Sequence, residues 1–275
     1  MATSTSTSDK TSGQTPGKAR RFDPAEVRRD FPIFETGIAY LDSANTSQRP
    51  VQVLDAMDDY HRKFNSNIHR GAYHISEVAT EKYEATRGIV KGFLNARSAK
   101  EIVYTRGTTE SINLVAYSWG RKNIRAGDLI VITILEHHSN IVPWQILAAE
   151  KGARLEWVDI DEKGVLDQDQ YLRLLEKRPK LVAFNQVSNA LGTINPVKEM
   201  TAAAHRAGAV VLIDGAQGAP HQGIDVRDID CDFYAFSSHK ICGPTGAGIL
   251  YGKREILDAM DPFMGGGDMI RAVRM

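Results

Sequence analysis

Short, wholly apolar runs recur along the chain, separated by longer stretches in which apolar positions return every three or four residues. Leu129–Leu135 (LIVITIL), Leu181–Phe184 (LVAF), Ala209–Ile213 (AVVLI) and Phe233–Phe236 (FYAF) predict buried strands, and a further strand is read at Glu101–Thr105. Between them, Ile141–Lys151, Gln168–Lys177 and Val197–Ala207 carry the helical period, as do Val51–Asn65 and Glu77–Leu94 upstream. A strand that is apolar on both faces must be covered on both. The interleaving therefore predicts an α/β fold, a mostly parallel sheet flanked by helices and wound with right-handed crossovers. No repeat with a period of 20–50 residues is present.

In such sheets ligands gather beyond the C-terminal ends of the strands and at helix N-termini. The residues following each predicted strand are therefore the informative ones. They read Arg-Gly-Thr-Thr-Glu (106–110), Glu-His-His-Ser-Asn (136–140), Asn-Gln-Val-Ser-Asn (185–189), Asp-Gly-Ala-Gln (214–217) and Ser-Ser-His-Lys (237–240). If the strands are neighbours, hydroxyls, imidazoles, amides, a carboxylate and a lysine converge on one rim.

Each has an ordinary and a chemical reading. Thr108 and Thr109 open a helix running to about Trp119; they are either its cap or donors to a phosphate held at the helix N-terminus. Asp214 ends an apolar strand, where a carboxylate is costly unless paired; it is either a turn aspartate before Gly215 or the partner of a cationic ring nitrogen. His137 is either structural or a flat ring set against a cofactor. The His137-His138 pair lacks a third ligand at local spacing, so no metal site is expected. Lys240 lies between an apolar strand and the glycine-rich run Gly243–Gly248, which lets backbone approach a ligand closely. It is either a loop lysine or an amine desolvated enough to act as a nucleophile. Taken together, a lysine, a ring-nitrogen acid, a phosphate cradle and a flat ring are what pyridoxal 5′-phosphate requires.

Composition narrows the setting. At 275 residues the chain has room for one or two domains and a full core. Its 34 basic and 34 acidic residues cancel, which argues against a nucleic-acid binder held by bulk charge. No apolar run approaches the roughly 18 residues of a membrane helix. Two cysteines, Cys231 and Cys242, make no disulfide framework, so a reducing, cytoplasmic setting is expected. The first twenty residues hold nine Ser or Thr and no apolar h-region, which excludes a secretory signal. Their few acidic residues suggest a transit peptide, but no amphipathic face is present. Residues 1–21 are expected to be a disordered tail, and 22–275 a cofactor-binding large domain with an N-terminal helical segment.

The segments YLDSANTSQRP (40–50), NIHRGAYHIS (67–76), RGTTESINLVAYSWG (106–120), EHHSNIVPWQ (136–145), VSNALGTINP (187–196), DGAQGAPH (214–221), DCDFYAFSSHKICGPTGAGILYGK (230–253) and GGGDMI (265–270) occur in order. With them the chain, from about Phe22 onward, resembles the SUF-type (group II) cysteine desulfurases and the related selenocysteine lyases. These belong to the class V aminotransferase branch of the fold-type I, PLP-dependent transferase-like enzymes. The resemblance implies that Lys240 forms the Schiff base and moves protons at the substrate α-carbon, with His137 stacking on the ring and assisting. Asp214 would pair with the pyridine nitrogen. Gln217 and Asn189 would contact the ring-oxygen side or the substrate, and Thr108, Thr109, Ser237 and His239 would hold the phosphate. His69 and Arg70 fall in a segment that the family places near the site mouth.

The same resemblance implies conversion of L-cysteine to L-alanine, with selenocysteine lyase or another class V activity as the alternative. The persulfide sulfur would go to an acceptor protein of the SUF system for iron–sulfur cluster assembly, and the enzyme would be a homodimer. It also implies that the nucleophilic cysteine, the carboxylate-binding arginine and the C-terminal small domain lie beyond residue 275. A truncated chain with little or no turnover, or a non-catalytic fragment, is expected on that ground. Two departures stand out. Cys242 occupies a position where the family usually has an aromatic residue, and Ser238 one where glycine is common.

Overall fold

The computed structural model describes residues 22–267. The expected tail at 1–21 and the end of the GGGDMI segment lie outside them. The described residues contain a seven-stranded sheet: β1 (Ile102–Thr105), β2 (Leu129–Thr133), β3 (Arg154–Val158), β4 (Leu181–Asn185), β5 (Val210–Asp214), β6 (Phe233–Ser237) and β7 (Gly248–Gly252). Their order is β1-β7-β6-β5-β4-β2-β3, and β7 is antiparallel to both neighbours while the other pairings are parallel.

The sheet is covered as its apolar runs demand. Leu129 and Val131, Val182 and Phe184, Val211 and Ile213, and Tyr234 and Phe236 face one core. That core includes Tyr171, Leu174 and Leu175 of helix Gln168–Glu176 and Met200, Ala203 and Ala204 of helix Val197–Arg206. The alternate residues Ile130, Ile132, Leu181, Ala183, Leu212, Phe233 and Ala235 face the other, against Ile112, Val115 and Trp119 upstream and Trp144 and Leu147 of helix Val142–Lys151. Adjacent positions of one strand therefore serve opposite cores, so a one-residue slip would exchange the two sets.

The five expected strands are present within two residues of their predicted bounds, and β2 stops two residues short, at Thr133. Leu135 N donates to Thr133 Oγ1 (3.3 Å), turning the chain out of the sheet before Glu136. Two strands escaped the sequence reading. β3 is an edge strand whose positions alternate in character (RLEWV), so no continuous apolar run marks it. β7 begins at the last glycine of the loop and is masked by it. The upstream helix starts at His74 rather than Glu77. Two predicted helices change pitch partway: Val51–Asp59 continues as a π-helical turn to Phe64, and Thr108–Leu114 continues as one to Gly120. No helix among the described residues is long and apolar enough to cross a membrane.

The topology fixes where a ligand can lie. The chain leaves β2 toward β3 and leaves β4 toward β5, in opposite directions, so a crevice forms beyond the ends of β2 and β4. The two strands pair only at Ile130↔Leu181 and Val131↔Val182, whereas β4 and β5 pair over five positions. Where the β2–β4 ladder stops, side chains take over. Asn185 N donates to Glu136 Oε1 (3.0 Å), and Asn185 Nδ2 donates to Leu135 O (2.6 Å).

Candidate active site

The crevice opens into a cavity of about 160 Å³. The nine residues assigned to the cofactor or to catalysis line it: Thr108, Thr109, His137, Asn189, Asp214, Gln217, Ser237, His239 and Lys240. They come from five separate strand ends, brought together by the order of the sheet. Asn45, Ser139, Asn185, Val187 and Ala216 line it as well and were not anticipated. Asn185 and Ser139 stand among the strand-end residues, and Asn45 lies in the 40–50 segment, so position marked them although no chemical requirement did. His69 and Arg70 are not among the lining residues. His69 meets Tyr83 edge-on at 5.8 Å and lies 3.6 Å from Glu84.

One end of the cavity is a cluster of hydroxyls at a helix start. Thr108 N donates to Ser237 Oγ (2.8 Å), and the Thr108 and Ser237 hydroxyls are 2.8 Å apart. The approach is possible because Gly107 and Gly248 touch there: a Cβ on Gly248 would fall 2.4 Å from Gly107 Cα. Thr109 and His239 complete this end. His239 is held below its ordinary imidazole range, first by burial and then by the charges of Lys240 and Arg49.

Asp214 is buried at the end of β5, in register with Asn185 on β4 and Ala235 on β6. Burial pushes its carboxyl up; the Ala216 N–H, donating to Oδ1 (2.9 Å), and the charge of Lys240 pull it down. Among the described residues this is its one hydrogen bond, so Oδ2 is left to whatever fills the cavity. Lys240 responds in the complementary sense. Burial lowers its pKa from the ordinary lysine value, and Asp214 partly restores it.

His137 lines the cavity just after the end of β2. Ser139 N donates to its Nδ1 (3.2 Å) and the Ser139 hydroxyl lies 2.7 Å away, so Nδ1 acts as the acceptor and the ring proton belongs on Nε2. Burial, then His138 and Lys240, hold its pKa below the ordinary value. The His138 ring is 3.9 Å from it, centroid to centroid. Below His137 the buried Glu136 carboxyl accepts from Thr133 Oγ1 (2.5 Å), Asn140 Nδ2 (2.6 Å) and Asn185 N. Trp144 Nε1 donates to Asn140 Oδ1 (2.8 Å), which fixes the direction of that amide.

These donors and acceptors fit a phosphorylated pyridine aldehyde. Hydroxyls at a helix start suit the phosphate, a half-paired buried carboxylate suits a protonated ring nitrogen, and a desolvated amine suits the aldehyde. Residues 39–275 match the family model described as Aminotransferase class-V, and the chain belongs to that family, whose enzymes use pyridoxal 5′-phosphate. Within the family, relatives at about half identity carry the name cysteine desulfurase. It is 53% identical over 257 residues to the cysteine desulfurase of Synechococcus elongatus, covering 92% of this chain and 41% of the relative. Among solved structures it matches the cysteine desulfurase CsdA of Escherichia coli, in its S-sulfonic acid form, with a TM-score of 0.86, 42% identity, and coverage of 93% of this chain and 64% of that one. The apo cysteine desulfurase of Thermococcus onnurineus NA1 gives a TM-score of 0.88 at 42% identity, covering 94% and 64%. The chain thus spans between two-fifths and two-thirds of these relatives' lengths.

Proposed function

We propose that this chain forms the cofactor-binding part of a cysteine desulfurase, which takes L-cysteine to L-alanine and passes the sulfur on as a persulfide. The observation that carries the reading is that Lys240 and Asp214, both desolvated and each shifted by the other's charge, line one cavity together with the hydroxyls of a helix start. The bound cofactor supplies an electron sink for charge developing at the substrate α-carbon. Thr108, Thr109, Ser237 and His239 would hold its phosphate, Asp214 would keep its ring nitrogen protonated, and His137 would support its flat face. Lys240 would supply the nucleophilic amine that holds the aldehyde and the base that moves the proton at the substrate α-carbon. Asn189 and Gln217 would meet the ring-oxygen side or the substrate.

The names of the relatives support cysteine as the sulfur source. The remaining elements of the reading are a homodimer, a cytoplasmic setting, and a SUF-system acceptor that receives the sulfur for iron–sulfur cluster assembly. They follow from the resemblance of the chain to group II enzymes. The chain's own part is tested by adding pyridoxal 5′-phosphate, reducing with borohydride and mapping the modified peptide. The label is expected on Lys240 and lost in Lys240→Ala. A folded protein that takes no label, or takes it on another lysine, overturns the reading.

A further inference from the structure

The lysine turn is not held by the sheet alone. After β6 the chain makes a tight turn over Ser238–Lys240, then enters Cys242, which has a left-handed backbone (φ 65°) unusual for a residue with a Cβ. A segment almost two hundred residues earlier in the chain reaches across to this turn. Ser47 N donates to His239 O (2.8 Å), and the Ser47 hydroxyl donates to the same oxygen (2.9 Å). That hydroxyl also accepts from Cys242 N (2.7 Å). Thr46 Oγ1 adds a longer bond to His239 O (3.3 Å) and lies 3.2 Å from His239 Nδ1. Three donors from two adjacent residues thus converge on the carbonyl that precedes Lys240, and one of them also takes the amide two positions after it.

The same segment reaches the other side of the cavity. Gln217 Nε2 donates to Ala44 O (2.6 Å), and Asn45, between these contacts, lines the cavity itself. Tyr40 OH donates to Thr46 O (2.7 Å), bracing the segment from behind. Residues 44–47 are therefore a strap tied at one end to Gln217 and at the other to both flanks of Lys240. Ser47 is nearly buried, so its hydroxyl has little water to fall back on when either bond is lost.

We propose that Ser47 is a positioning residue for Lys240: its hydroxyl clips the backbone before and after the lysine and so sets where the amine enters the cavity. This rests on Lys240 being the cofactor lysine, and it assigns Ser47 a task that no chemistry of its own requires. The clip holds Cys242 in its left-handed turn by satisfying the amide there. Without it the turn keeps its internal bonds, Ile241 N and Gly243 N to Ser238 O (2.9 and 2.8 Å) and Ser238 to Ala247 O, but the amine spreads over more positions, fewer of which suit attack on a bound aldehyde.

The test compares the purified chain with Ser47→Ala and, as a milder variant should that one fold poorly, Thr46→Val. Amide hydrogen exchange at Cys242 reads the clip without any cofactor. The rate of linkage to pyridoxal 5′-phosphate and the pH midpoint of the linkage absorbance read its consequence. Loss of one buried hydrogen bond predicts Cys242 exchange roughly five- to tenfold faster in Ser47→Ala. Linkage is expected to slow about as much, with a displaced pH midpoint. Thr46→Val should move the same readings less. Unchanged exchange at Cys242 overturns the clip, and faster exchange with wild-type linkage rate and midpoint overturns the positioning role. A wild-type chain that makes no linkage at Lys240 sinks the functional reading and the positioning role together, even where Cys242 exchange still reports the clip.

Discussion

Asn185 N donates to the buried carboxyl of Glu136 at 3.0 Å, at the point where β2 and β4 part. A side chain thus replaces a rung of the backbone ladder, and Asn185, which it holds, lines the cavity. The arrangement makes Glu136, which contacts no cavity space of its own, a condition for the shape of the site.

Replacing Glu136 by alanine removes the acceptor for three buried donors, on Thr133, Asn140 and Asn185. An orphaned buried donor costs about 1–3 kcal/mol, so Glu136→Ala is expected to lose at least ~2 kcal/mol in denaturant unfolding. Burial pushes the Glu136 pKa from 4.5 up to about 8 against the pull of these donors and with some help from Asp214. The folded state then holds a proton that the unfolded chain has released. The stability associated with Glu136 is full below about pH 4.5 and declines as pH rises to about 8, with a slope of up to about 1.4 kcal/mol per unit. Unfolding measured across that range should show the decline, and Glu136→Gln should flatten it. An equally steep decline in the glutamine variant would assign the slope to other groups.

Asp214 raises the pKa of Lys240, opposing the larger effect of burial. Asp214→Asn removes that support and is expected to move the Lys240 titration further down. The pH dependence of acylation at Lys240 in the unloaded chain, followed by peptide mapping, measures this directly. A midpoint that stays put or rises would show the two groups to be uncoupled.

His137 is expected to be neutral at pH 7, protonated on Nε2, because Nδ1 is taken by Ser139 and burial disfavours the cation. Its folded pKa lies below the unfolded one, so its contribution to stability is present above about pH 6.5 and fades as pH falls through the folded value. Nitrogen-15 shifts of the ring distinguish the tautomers and give the midpoint. A value at or above 6.5, or a proton on Nδ1, contradicts the Ser139–His137 geometry.

Ser237 orders the helix start by accepting from Thr108 N. Ser237→Ala is expected to weaken capture of pyridoxal 5′-phosphate by about tenfold, on the order of one buried hydrogen bond to a charged group. Capture of pyridoxal, which lacks the phosphate, should change much less. Equal losses for both compounds would mean that Ser237 acts on the whole site rather than on its phosphate end.

Several of these elements could be read before any coordinates. The buried strands were legible because burial on both faces leaves a continuous apolar run, as in LVAF at 181–184. The lining residues were legible because a mostly parallel sheet presents its strand ends on one side. β3 was missed because an edge strand keeps one polar face, and β7 because glycines hid its start. Asn45 and Asn185 were passed over as lining residues because nothing in their type called for the chemistry assigned to the cavity.

The α/β character of the chain, the acid and the lysine at two strand ends and the hydroxyl-rich helix start are all written in the order of its residues. Local periodicity and residue chemistry are enough for that. That β2 and β4 part company over Glu136, that Asp214 and Lys240 share one desolvated space, and that Ser47 reaches the lysine turn emerges only once the chain is folded. Each of these depends on strand order and on contacts between residues distant in the chain, where the energy comes from burial and pairing rather than from anything a neighbouring residue encodes.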